Sequence, residues 1–154
     1  RRNQLSKIIA MLSNLTPSGT TNVAASLHQL VSLVRHKSLV MIFSDLLGEP
    51  GPIIRELHHL KHRGNDVIVF HVLDAAEVLF PFRGMVDFED RESPARLVVD
   101  SDAVRDDYLE ALQEFRELYK IECSRANIDY VPLHTGMQFD TALVQYLQDR
   151  TKRL

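Results

Sequence analysis

The chain has 154 residues, of which 45% are apolar and 25% charged, and its formal net charge is −3. This balance is typical of a soluble globular protein, and the lack of a basic stripe interleaved with aromatic residues argues against a nucleic-acid partner. No apolar run approaches the roughly 20 residues of a membrane span, and a single cysteine excludes an internal disulfide. We therefore expect one cytoplasmic domain over residues 1–154.

The first third of the chain predicts two amphipathic helices and a strand. Apolar residues recur at helical spacing over 5–15, with Asn3 as the N-cap, and again over about 22–34. The apolar run that follows shows no alternation, so we predict a strand over 39–44 that is buried on both faces.

The middle of the chain predicts a helix, a second buried strand and a hairpin. Pro52 suits the first turn of a helix that ends near Gly64, and the apolar run over 67–73 predicts the second strand. Two short β-like runs flank a charged stretch with a proline, which predicts a β-hairpin insertion over about 85–100, apart from the main sheet.

The last third predicts a long helix, an edge strand and a final helix. Asp102 is expected to cap a helix that runs to about residue 127. A strand over 130–134 contains Pro132, which cannot donate a ladder hydrogen bond and therefore indicates a position at the sheet edge or near a strand end. Strands that alternate with helices in this way predict an α/β fold, a three-layer Rossmann-like parallel sheet with helices on both faces.

Polar residues lie in two loops that such a fold would bring toward one edge of the sheet. Thr21 and Asn22 close a small polar loop that enters the second helix, and Asp45 follows Ser44 at the end of the first strand. Hydroxyl and carboxylate oxygens are ligands that Mg²⁺ prefers. The alternative is that Thr21 or Asn22 caps the helix and that Asp45 begins a turn.

These motifs resemble those of von Willebrand factor A domains. The run Ser18-Gly19-Thr20-Thr21-Asn22 is similar to their Gly-Gly-Thr-Asn loop, and Ser44-Asp45-Leu46 resembles their strand-end Thr-Asp-Gly. More specifically, the chain resembles the C-terminal half of the bacterial "domain of unknown function" family 58. The features that carry this likeness are His71-Val72-Leu73-Asp74 with Glu77, the helix near Asp102, and Phe139-Asp140-Thr141-Ala142-Leu143 running to Tyr146, Leu147 and Arg150.

The resemblance implies a metal-ion-dependent adhesion site in which Thr21 and Asp45 are ligands, with Ser44 and Asn22 beside them. The first element of such a site, Asp-x-Ser-x-Ser, does not occur in this sequence, and in the family it would lie upstream of Arg1. We therefore expect an incomplete von Willebrand factor A-like domain. Mg²⁺ is expected in the full-length protein but not in this chain.

The resemblance also implies a function. We expect a non-enzymatic protein-interaction module, without catalytic residues, that acts with a MoxR-type AAA+ ATPase. A complete von Willebrand factor A-like sheet places its first strand beside the strand over 39–44. If that first strand is missing, the strand over 39–44 has an unpaired edge, which is expected to support a homodimer.

A rival hypothesis is a small metal-assisted α/β hydrolase that uses the strand-end carboxylates of Asp45, Asp74 and Glu77. No nucleophile motif or phosphate-binding loop accompanies them, so Asp74 and Glu77 are also explained as residues that fix a loop.

The remaining candidates have structural explanations. His58 and His62 share a helix face at the spacing of a zinc pair, but no third ligand is evident, and a solvated polar face is the simpler interpretation. His71 lies within an apolar strand, where a hydrogen-bonded core histidine is expected. Cys123 lies in a helix without a histidine nearby in sequence and is interpreted as structural.

Overall fold

The computed structural model describes residues 2–16, 22–90 and 94–151 of the chain. The helices are α1 (Arg2–Ser13), α2 (Val23–Leu33), α3 (Pro50–His62), α4 (Ala75–Leu79), α5 (Ser101–Arg125) and α6 (Phe139–Thr151). The strands are β1 (Leu39–Ser44), β2 (Asp66–Leu73), β3 (Met85–Glu89), β4 (Arg96–Asp100) and β5 (Asp129–His134).

The main sheet has the order β1-β2-β5, and both pairings are parallel. The register sets Ser44 opposite His71, and His71 opposite Pro132. This arrangement confirms the predicted open α/β sheet. The edge position of β5 explains why it tolerates Pro132, since an edge strand can leave one row of backbone donors unpaired.

Helices cover both faces of this sheet, as predicted. On one face, β1 and β2 pack against α2, α3 and α5 around a core that includes Leu27, Leu57 and Tyr119. On the other face, α6 covers β2 and β5, where Phe70 and Tyr146 are buried together. The interior strand β2 is therefore buried on both sides, which is why its sequence is apolar without alternation.

The expectation that β1 is buried on both faces was wrong. Val40 and Ile42 are buried, but Leu39, Met41 and Phe43 are between 55% and 56% exposed. The physical reason is that α6 lies over β2 and β5, so the described part of the chain leaves this face of β1 uncovered. An unbroken apolar run predicts burial but cannot tell how far a covering layer extends.

The first helix forms near the predicted place, but it begins at Arg2, so Asn3 lies inside it and not at its N-cap as expected. Its apolar stripe is not packed. The five apolar residues that share its predicted face are between 51% and 62% exposed: Leu5, Ile8, Ile9, Leu12 and Leu15.

Among the described residues, no helix combines the length and the apolar composition needed to cross a bilayer.

The predicted hairpin is confirmed as the antiparallel pair β3–β4, which forms a separate two-stranded sheet. The cap of the following helix differs from the prediction. Asp100, not Asp102, is the N-cap of α5, because its carboxylate accepts a hydrogen bond from the backbone N–H of Asp102 at 3.1 Å. The Asp102 carboxylate instead accepts from Arg83 and from the Gly84 N–H, at 2.9 and 2.8 Å.

Candidate functional site

The turn after β1 carries Asp45, and it is held by hydrogen bonds within the turn. The Ser44 hydroxyl accepts from the Leu46 N–H at 3.0 Å, and Oδ1 of Asp45 accepts from the Leu47 N–H at 3.2 Å. Leu46 is fully buried and has a φ of 56°, in the left-handed region that side chains other than glycine rarely adopt. Within the described part of the chain, Oδ2 of Asp45 accepts no hydrogen bond.

Two side chains from the core hold the backbone of the same turn. Nε2 of His71, from β2, lies 2.9 Å from the carbonyl oxygen of Asp45. The hydroxyl of Tyr119, from α5, donates to the carbonyl oxygen of Leu46 at 3.3 Å. Both side chains are buried, so these two contacts anchor the turn to the interior of the protein.

The hydrogen-bond partners of His71 indicate which ring nitrogen carries the proton of the neutral imidazole. Burial lowers its pKa, as does the positive charge of Arg116, while the carbonyl of Asp45 acts in the opposite direction. Because a carbonyl only accepts, Nε2 must carry the proton, and Nδ1 then accepts from the Tyr130 hydroxyl at 2.6 Å. This confirms His71 as a hydrogen-bonded core histidine.

The N-terminus of α2 faces the turn across a cavity of about 360 Å³. Asn22 caps this helix, since its side-chain oxygen accepts from the Ala25 N–H at 2.9 Å. Asn22 and Val23 line one side of the cavity, and Leu47 and Gly48 line the other. Asn22, the described residue of the first predicted polar loop, therefore lies near the turn after β1, at the carboxyl end of the sheet.

Thr21, the other predicted metal ligand, lies outside the described residues. For the described residues, no group of three or more histidine, cysteine, aspartate or glutamate side chains is arranged to hold a metal ion. Asp45 with the neighbouring hydroxyl of Ser44 supplies only part of the oxygen shell that Mg²⁺ requires.

Asp74 and Glu77 form a capping box at the start of α4. The Asp74 carboxylate accepts from the Ala76 N–H at 2.8 Å, and Glu77 accepts from the Asp74 N–H at 2.7 Å. The Thr135 hydroxyl, which follows β5, also donates to Asp74 at 3.0 Å. The Ala76 N–H and the Thr135 hydroxyl lower the pKa of Asp74, because both stabilise its charged form.

His58 does not pair with His62 as a metal ligand. Its Nε2 lies 3.2 Å from the carbonyl oxygen of Glu122, which joins α3 to α5. Cys123 is buried in the core, in agreement with a structural role.

Tyr119, Tyr130 and Thr135 were not identified as site residues from the sequence. Tyr119 and the carbonyl that it contacts are 73 positions apart, and Tyr130 and His71 are 59 apart. Only His71 carried a usable signal, since a polar ring within an apolar strand requires buried partners.

Comparison with known proteins gives a single family. A family model described as "Protein of unknown function DUF58" matches residues 1–118, which is most of the chain. No curated protein and no solved structure matches the chain significantly. The chain therefore belongs to the DUF58 family.

Proposed function

We propose that the chain is a protein-interaction module of the von Willebrand factor A type and that the Asp45 turn is the centre of its binding site. The observation that carries this proposal is the cavity between the start of α2 and Leu47 and Gly48, which follow Asp45 in the turn. In open α/β sheets, ligands bind outside the carboxyl ends of the strands, which is where this cavity lies.

The conformation of Leu46 supports the likeness to von Willebrand factor A domains. Leu46 stands where the Thr-Asp-Gly motif of those domains has glycine, and its φ of 56° lies in the region that glycine adopts at little cost. The turn thus has a backbone suited to the motif although the side chain differs. The parallel order of the sheet agrees with the same likeness.

Metal dependence is the second part of the proposal. Asp45 and Thr21 would hold Mg²⁺, with further ligands from an Asp-x-Ser-x-Ser segment that this sequence does not contain. When bound, the ion would offer an open coordination position to a carboxylate of the partner. Among the described residues, no group of three or more histidine, cysteine or carboxylate side chains is arranged to hold a metal ion, so we expect calorimetry to show no micromolar Mg²⁺ binding by the 154-residue chain. Micromolar binding that is lost in Asp45→Ala would show that the site is already complete.

A MoxR-type AAA+ ATPase is the partner that we propose, on the basis of the family likeness, with the cytoplasm as the compartment. Biosensor binding of the purified ATPase tests the function. We expect Asp45→Asn to weaken binding at least tenfold, since it removes the charge at the centre of the site. Asp107→Asn, which removes an exposed charge on α5, is the matched control. Equal binding by both variants and the parent chain would refute the proposal.

The absence of enzymatic activity is also part of the proposal. The rival hydrolase needs Asp74 and Glu77 as free carboxylates, whereas both serve as helix-capping groups here. This weighs against a catalytic role for them. A phosphatase screen with generic phosphate esters and Mg²⁺ distinguishes the two. Hydrolysis that Asp74→Asn abolishes would favour the enzyme.

A further inference from the structure

We propose that His71 is a positioning residue which, with Tyr119 and Tyr130, fixes the backbone of the Asp45 turn and so sets the direction of the Asp45 carboxylate. The inference rests on the proposed function, because it concerns the residue at the centre of that site. It adds a group of core residues that never touch a partner but determine whether the site is preformed.

Buried side chains hold the backbone of the turn at two points. Two successive carbonyl groups of the turn, those of Asp45 and Leu46, are each held by a buried donor. The donors come from β2 and α5, elements that are far apart along the chain.

The backbone of the turn is strained at Leu46. A leucine in the left-handed region is unfavourable on its own, and such conformations persist when the surroundings over-determine them. Here the Leu46 side chain is fully buried, its N–H is bonded to Ser44, and its carbonyl is bonded to Tyr119. Releasing these contacts should allow the turn to relax and the Asp45 carboxylate to lose its fixed direction.

The hydrogen bonds around His71 have a defined direction. The Asp45 carbonyl only accepts, so it requires the proton on Nε2, and the Tyr130 hydroxyl supports this tautomer by donating to Nδ1. Edge-to-face contacts with Phe115 and Tyr119 hold the ring, at centroid distances of 5.7 and 6.1 Å. Tyr130 therefore supports the tautomer that His71 needs for its contact with the turn.

The tautomer can be measured by ¹⁵N NMR of the histidine side chains in the intact chain. We expect His71 to be the neutral Nε2–H tautomer, and we expect Tyr130→Phe to reduce that preference. A neutral Nδ1–H tautomer in the parent chain would overturn the proposal, as would an unchanged preference in Tyr130→Phe.

Hydrogen exchange of the Leu46 and Leu47 amides measures the turn itself, because both amides are bonded within it. We expect Tyr119→Phe and His71→Leu to speed this exchange about tenfold, the effect of losing one hydrogen bond of ordinary strength. His71→Gln, whose amide can still donate, should restore most of the protection. Tyr146→Phe removes a bonded hydroxyl on the opposite face and is the control.

The outcomes separate a positioning role from a merely structural one. Equal acceleration in Tyr146→Phe, or no rescue by glutamine, would show only a general loss of stability and would overturn the proposal. If the exchange results hold but Asp45→Asn binds the ATPase normally, the positioning role stands and the proposed function fails. If the exchange results fail while Asp45→Asn abolishes binding, the proposed function stands and the positioning role fails.

Discussion

The ring of Phe43 stacks on the ring of Phe70, with centroids 4.6 Å apart and planes within 8° of parallel. Phe70 is almost fully buried because Tyr146 of α6 packs edge-on against it at 5.8 Å, whereas Phe43 remains 56% exposed. The covering layer on this face of the sheet thus ends between β2 and β1. On this face, β1 exposes the apolar side chains of Leu39, Met41 and Phe43.

We predict that the chain self-associates through β1. Its outer edge carries no charge, proline or bulge of the kind that protects edge strands, and one of its faces exposes apolar side chains. Phe43→Ser should weaken the dimer and reduce the binding of a dye for exposed apolar patches. Ile121→Ser, at an exposed apolar position on α5, is the control. Light scattering that shows a stable monomer at high concentration, with no dye binding, would contradict the prediction.

We predict that His71 makes the fold acid-sensitive. Burial lowers its pKa in the folded state below the ordinary value of 6.5, so the unfolded chain binds more protons between the two values. The free energy of unfolding should therefore be fully retained above about pH 6.5 and should fall below it, by at most about 1.4 kcal/mol per pH unit.

The charged groups near the His71 ring are Arg116 and Asp45. The experiment therefore compares the parent chain with a variant that removes only the imidazole and keeps both charges. Denaturant titrations between pH 7 and pH 5 should show a shallower pH dependence for His71→Gln than for the parent chain. His36→Gln, at an exposed position, should leave the dependence unchanged. Identical slopes for both variants would contradict the role of His71.

We predict that Arg150 fastens α6 to the sheet. Its guanidinium contacts the carboxylates of Asp66 and Asp129, at the start of β2 and of β5, and the hydroxyl of Tyr146. Arg150→Leu should lower the free energy of unfolding by about 1–2 kcal/mol, because the side chain that loses its contacts is only partly exposed. The loss should be larger at low salt, because salt screens ion pairs. Arg83→Leu, which breaks an exposed ion pair, should have little effect. Thermal unfolding at two salt concentrations checks both, and equal effects would refute the prediction.

We predict that Cys123 is inert in the folded protein. The side chain is 1% exposed, and burial with the nearby charge of Glu122 raises the pKa of its thiol to about 12. Because the thiolate is the reactive form, a thiol reagent at neutral pH should label the native chain only as fast as it unfolds. Complete and rapid labelling without denaturant would contradict this, and the same chain in denaturant gives the reference rate.

Much of the fold follows from local patterns. The apolar run of β2 and the proline of β5 correctly indicated an interior strand and an edge strand, because burial on two faces and a missing N–H each restrict sequence directly. The rule that an unbroken apolar run indicates burial on both faces failed for β1. Its composition resembles that of β2, but the burial of its second face depends on how far α6 extends over the sheet. The short helix α4 was missed as an element, although Asp74 and Glu77 have the spacing of the capping box that starts it.

The candidate site was predictable only in part. Asp45 and Asn22 were identifiable because polar residues at a strand end and a helix start are local features. The contacts of Tyr119 and Tyr130 with the site join positions dozens of residues apart, and no short pattern encodes them. The left-handed conformation of Leu46 was also hidden, since leucine is not a residue that signals it.

The most direct test of the proposed binding site is to map the binding surface by NMR while a purified MoxR-type AAA+ ATPase is added to the labelled chain. We predict that the perturbed amides cluster at Asn22, Val23, Leu46, Leu47 and Gly48, around the cavity at the carboxyl end of the sheet. Perturbations confined to the opposite end of the sheet, near Asp66 and Asp129, or to the β3–β4 hairpin would contradict the claim that the Asp45 turn is the binding site.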